Sequence, residues 1–112
     1  MLFINTLFGL LIAHAVTDYA LQSDNMAQWK HPDAFIPPAA GHWSWWMTAH
    51  ALVNALGVAL VTGRIELAYA EAGLHWLLDY GKCRGWLTAN MDQTGHLLSK
   101  IVWAWITTRG MG

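Results

Sequence analysis

Four short stretches set two polar side chains four residues apart in apolar surroundings. They are His14 and Asp18 in "AHAVTDYA", His50 and Asn54 in "HALVN", His75 and Asp79 in "HWLLDY", and Asp92 and His96 in "MDQTGH". Residues four apart lie on one face of a helix, about one turn from each other. Imidazole nitrogen and carboxylate oxygen are ordinary donors to zinc, manganese or iron. Helical bundles build metal sites from such inward-facing pairs on neighbouring helices. A divalent ion would also account for carboxylates in an apolar setting, where an uncompensated charge is very unfavourable.

Each residue also has a plainer use. A lone buried histidine is more often a hydrogen-bonded core residue than a ligand. Asp18 and Asp79 could accept from the histidine of their own helix, and Asp92, just after Asn90, suits N-capping as well as metal binding. Lys82 follows Asp79 by three positions, so it either neutralises Asp79 or reaches an anionic phosphate. Gln22 and Gln93 are hydrogen-bonding supports for the ligand set or ordinary helix-end polar residues, and Asn54 stands beside them as a support. His31 and His42 fall in a loop and are expected to be solvated. Cys83, the single cysteine, excludes an intrachain disulfide and an all-thiolate zinc site.

The elements that must position these pairs are four helices, at about residues 2–21, 43–61, 65–80 and 92–107. Between the first two, "QSDNMAQWKHPDAFIPPAAGHW" reads as a loop marked by Pro32, Pro37 and Pro38. No strand-like alternation is sustained, so an all-α, up-down-up-down four-helix bundle in a single domain, 1–112, is expected. In that topology the pairs close the first and third helices and open the second and fourth. All four then arrive at one end of the bundle, and their convergence argues for a shared site.

Hydrophobic residues make up 55% of the chain and charged ones 12%, against about 25% charged in an ordinary soluble domain. The net charge of -1, with no basic run, excludes nucleic acid as an expected partner. The apolar N-terminus lacks the basic residues of a signal peptide and is read as retained helix. A span needs about 20 apolar residues, a length the first two helices approach, while the other two are shorter. A soluble bundle should show a polar stripe on every helix, yet "ALVNALGVALV" and "IVWAWI" show little of one. Membrane embedding is therefore expected. Trp29, Trp43, Trp45, Trp46 and Trp86 would then lie near one interface and Trp103 and Trp105 near the other, with Trp76 suited to core packing. Lys30, Lys82 and Arg84 on one side against Arg64 and Arg109 on the other do not decide the orientation.

At these residues the chain resembles a known family. "AHAVTDYALQSDNMA", "HALVN", "HWLLDYGK" and "MDQTGHLL" are similar to the ordered motifs of bacterial and phage membrane proteins catalogued as domain of unknown function 3307. Those motifs are His-x3-Asp-x3-Gln, His-x3-His, His-x3-Asp with a nearby Lys, and Asp-Gln-x2-His. The resemblance implies that His14, Asp18, Gln22, His50, His75, Asp79, Lys82, Asp92, Gln93 and His96 are the functional positions. Asn54 departs from it, standing where the family pattern has a second histidine. A broadly similar group of small membrane proteins is labelled as predicted metal-dependent hydrolases, which is analogy alone.

The expected function is a membrane-embedded, metal-dependent hydrolase of a lipid or lipid phosphate, located in a bacterial inner membrane. His14, Asp18, His50, His75, Asp79 and His96 would bind a divalent metal, zinc first, with manganese and iron as alternatives. Asp92 would take a proton and Lys82 would hold an anionic headgroup. Two non-enzymatic readings compete. One is metal-ion or proton binding and transport, weakened because no polar residue on the two shorter helices is evident towards the far face. The other is a structural or interaction protein whose polar pairs lock helix packing. Membrane lipid is the expected partner, with a second copy or another membrane protein as further candidates, since "GLLIA" and "GVALVTG" offer small residues for close helix contact.

Overall fold

The computed structural model describes residues 2–109. They form α1 (Phe3–Ala15), a π-helical turn (Val16–Ala20), α2 (Asp24–Trp29), a 3-10 turn (Pro38–Ala40), α3 (Trp43–Thr62), α4 (Ile65–Cys83) and α5 (Ala89–Thr108). No strand occurs among the described residues, and the fold is all-helical. The helix count corrects the expected four to five. The additional short helix, α2, lies in the segment assigned to loop, where Ser23 Oγ caps it by accepting from Met26 N at 3.1 Å.

The long helices start and stop for local reasons. His42 caps α3 through Nδ1, which accepts from Ser44 N, and Gly63 ends it with φ 68, a left-handed conformation that favours glycine. α4 continues past Tyr80 and through Gly81, whose missing side chain leaves room for Leu87; a Cβ there would stand 3.2 Å from Leu87 Cδ1. α5 begins at Ala89, earlier than expected, because Thr88 Oγ1 accepts from Met91 N and caps it.

α1 packs on α3 and α5, and α4 packs on the same two, so α1 and α4 stand at opposite corners of a four-helix ring. α3 and α4, joined only by Gly63 and Arg64, form an antiparallel hairpin and share the most extensive interface. α1 approaches α3 closely at Gly57, where an added Cβ would sit 3.3 Å from Ala13 Cβ and Thr17 Cγ2. Just beyond it, the π turn after α1 meets α3 where Asp18 Oδ1 lies 2.9 Å from His50 Nε2.

The interior holds many polar side chains and the surface many apolar ones. Thr6, His14, Asp18, His50, Asn54, Glu71, His75, Asp79, Asp92, His96, Ser99 and Lys100 are buried. Leu52, Leu56 and Leu60 form an exposed line along α3, and Phe8 and Ile12 on α1 and Leu98, Ile101 and Val102 on α5 also face outward. An apolar core of Leu10, Val58, Leu67, Trp103 and Ala104 fills the end away from the polar pairs. Two segments, Phe3–Ala20 and Pro38–Thr62, are long and apolar enough to cross a membrane.

Candidate metal centre

The site begins where α1 loosens. Leu21 N donates to Val16 O at 2.8 Å, a five-residue step that widens the helix into its π turn. Thr17 Oγ1 lies 2.8 Å from Ala13 O and 2.7 Å from Asn54 Oδ1, which fastens the turn to α3. The widened turn carries Asp18 into the centre of the bundle.

Four donor atoms meet there: Asp18 Oδ1, Asp79 Oδ2, His50 Nε2 and His75 Nε2. His50 Nε2 is 2.9 Å from Asp18 Oδ1 and 3.2 Å from Asp79 Oδ2, and His75 Nε2 is 3.4 Å and 3.5 Å from the same two oxygens. Tetrahedral zinc, with bonds of roughly 2.0–2.2 Å, separates its donors by about 3.3–3.6 Å. The two edges from His75 have that length, and His50 stands closer, at hydrogen-bond distance from Asp18. All four donors lie within 4.8 Å of one another, and all four side chains are buried.

Protonation inside the quartet sharpens the match. His75 Nδ1 lies 3.0 Å from Glu71 Oε2 and donates to it, so in the neutral ring Nε2 presents a lone pair to two carboxylates. Only a proton or a metal cation relieves that arrangement, and His75 Nε2 makes no hydrogen bond among the described residues. A carboxylate behind a ligating histidine is the usual support in metal sites. His50 lacks one, since its Nδ1 is buried without a partner among the described residues.

Glu71 is itself held by Lys100 Nζ at 2.7 Å and Trp103 Nε1 at 2.9 Å. These three residues correct two expectations: the polar interior does continue along α4 and α5 towards the far face, and Trp103 is a buried donor rather than an interfacial anchor. The continuation stops at the apolar core around Leu10 and Leu67. Trp105 does lie at the surface, with Arg109 over its ring. Around the polar end, Trp29 contacts Trp46, and Trp43, Trp76, Tyr80 and Trp86 form an aromatic cluster in which Trp76 is half-buried.

A second group lies beside the quartet. His96 Nε2 is 3.1 Å from Asp79 Oδ1 and 3.2 Å from Asp92 Oδ1. Asp92 is not the helix cap; Thr88 takes that role. Lys82 Nζ approaches Asp92 Oδ2 at 3.8 Å, and the cation on Asp79 is Lys30, 2.8 Å from Oδ2, so of the two uses open to Lys82 the neutralising of Asp79 is not the one found.

The remaining expected residues divide. Gln93 bridges, with Nε2 donating to Asp18 Oδ2 at 3.1 Å and Oε1 3.2 Å from His14 Nε2. His14 reaches Asp18 Oδ2 only at 3.7 Å, so it stands beside the quartet rather than in it. Asn54 Nδ2 donates to the carbonyl of His50, which steadies that residue without reaching the donor cluster. Gln22 has a buried Oε1 with no hydrogen-bond partner among the described residues. His31 and His42 remain in the connecting segment, where each accepts from a nearby backbone N–H.

No curated protein and no solved structure matches the chain. The model of the family described as protein of unknown function DUF3307 matches residues 6–111, and the chain belongs to that family.

Proposed function

We propose that the protein is an integral membrane, metal-dependent hydrolase that acts on a lipid phosphate at the membrane interface. The observation that carries the reading is the Asp18–His50–His75–Asp79 quartet, four buried donors within 4.8 Å of one another, a grouping that could hold a metal ion. Membrane embedding is supported by the outward-facing leucines of α3 and by two segments of spanning length. The resemblance to bacterial and phage membrane proteins favours the bacterial inner membrane.

A divalent ion supplies positive charge for a phosphoryl oxygen and acidifies a bound water. Lys82, with its side chain 35% exposed, is suited to receive the anionic headgroup, and Asp92 beside it to act as base. In the proposed hydrolysis the water oxygen bonds to phosphorus as the bond to the lipid alcohol breaks. Asp92 takes the water's proton and returns it to the leaving oxygen. Lys30 and Gln93 donate to Asp79 and Asp18 and so compete with an ion for the two carboxylates.

A structural role is the competing reading, favoured by the hydrogen bonds that already link the helices, such as His50–Asp18 and His96–Asp79. Transport is disfavoured by the apolar core that closes the far end. Elemental analysis of detergent-purified protein, paired with phosphate release from short-chain phosphatidic acid, tests these readings. Stoichiometric metal with turnover lost in His75→Ala supports the hydrolase. Metal-free protein leaves the structural reading, and metal flux into sealed vesicles without turnover indicates transport.

A further inference from the structure

We infer that the bundle holds two divalent ions rather than one, with Asp79 bridging them and the second ion bound by Asp79 Oδ1, Asp92 Oδ1 and His96 Nε2. This inference rests on the metal-site reading above and deepens it. The three donor atoms lie within 4.8 Å of one another and belong to buried residues. Asp79 turns Oδ2 to the first quartet and Oδ1 to this group. A carboxylate used in this way holds its ions about 3.5–4 Å apart, the separation of two-metal hydrolytic sites.

Asp92 supplies the independent observation. It is 0% exposed, and neither carboxylate oxygen receives a hydrogen bond among the described residues. Buried charge is normally paired and hydrogen-bonded. Its nearest lysine or arginine is Lys82, at 3.8 Å, beyond hydrogen-bond distance, and the closer group is the His96 imidazole at 3.2 Å. A cation between Asp92 and His96 satisfies the carboxylate and uses the imidazole nitrogen that faces it.

The two positions differ in the number of protein donors. Four protein donors close the first shell in the manner of a structural zinc site, while three donors leave a place for water in the second, as in catalytic sites. Reactive solvent therefore belongs to the second ion. Asp92 then binds through Oδ1 and keeps Oδ2, on the Lys82 side, as the proton acceptor.

The test is metal stoichiometry of the detergent-purified full chain after zinc loading and desalting, with helix content followed by circular dichroism. Two ions per chain are expected for the wild type and one for both Asp92→Asn and His96→Phe. Manganese loading adds a second readout, since a bridged pair gives a spin-coupled resonance signal and either variant should give an isolated-ion signal. One ion in the wild type overturns the second site and leaves the first intact. Two ions retained in both variants overturn its assignment to Asp92 and His96. No ion in the wild type overturns the metal reading altogether. Should Asp92→Asn lose its helical signal, His96→Phe and the wild-type manganese signal decide.

Discussion

Lys30 Nζ lies 2.8 Å from Asp79 Oδ2 with both side chains buried, so the segment after α2 is anchored in the polar interior. Removing one partner of such a pair strands the other charge. Lys30→Met should destabilise the metal-free protein by about 3–5 kcal/mol. A divalent ion on Asp79 restores positive charge, so the loss should shrink when zinc is present. Thermal unfolding in detergent, with chelator and with zinc, checks this; equal losses in both conditions would count against a metal on Asp79.

Glu71 ties Lys100, Trp103 and His75 together. Glu71→Leu alone leaves the Lys100 ammonium buried without its counter-charge and should cost about 3–5 kcal/mol. Glu71→Leu with Lys100→Leu removes both charges and should recover much of that loss. Denaturant titration of the two single variants and the double variant reads the coupling. Additive losses would show that the pair does not act as a unit.

The start of α5 separates capping from ligation. Thr88→Ala removes the side chain that accepts from Met91 N and should cost about 1 kcal/mol without changing metal content. Asp92→Asn should leave helix content unchanged, because the cap is elsewhere. Circular dichroism with elemental analysis distinguishes the two effects, and a frayed helix in Asp92→Asn would reassign that residue.

Close approach of α1 to α3 makes Gly57 a remote control on the donor quartet. Gly57→Leu would drive a side chain into Ala13 and Thr17, pushing the π turn and Asp18 away from His50. Zinc affinity should fall at least tenfold, while Gly73→Leu, where a Cβ would meet nothing within 4 Å, should leave affinity unchanged. Competition with a chromogenic chelator measures both.

Much of this arrangement was legible in the chain. The four polar pairs named the right end of the bundle, and the long helices fell close to their expected limits. Glu71 and Lys100 escaped notice although a signal was present. Glu71, His75 and Asp79 form one ladder at spacing four, and Asp92, His96 and Lys100 form another. Extending each pair by one step would have found them. Lys30 gave no such signal, because a lysine in a proline-flanked polar segment looks solvated until the segment folds back over Asp79. The π turn was equally hidden. It changes the phase of Asp18 through one backbone step, and no side-chain type in "VTDYA" announces it.

The line of Leu52, Leu56 and Leu60 has a practical consequence. Those side chains face away from every group that gives the bundle its internal specificity, so their identity can be rewritten while the interior is left alone. Replacing the outward leucines, with Ile101 and Val102, by glutamate and lysine in alternating sign would put charge on the exposed faces of α3 and α5 and leave the interior as it is. Such a recoloured variant would separate what the outer faces of the bundle do from what its polar interior does.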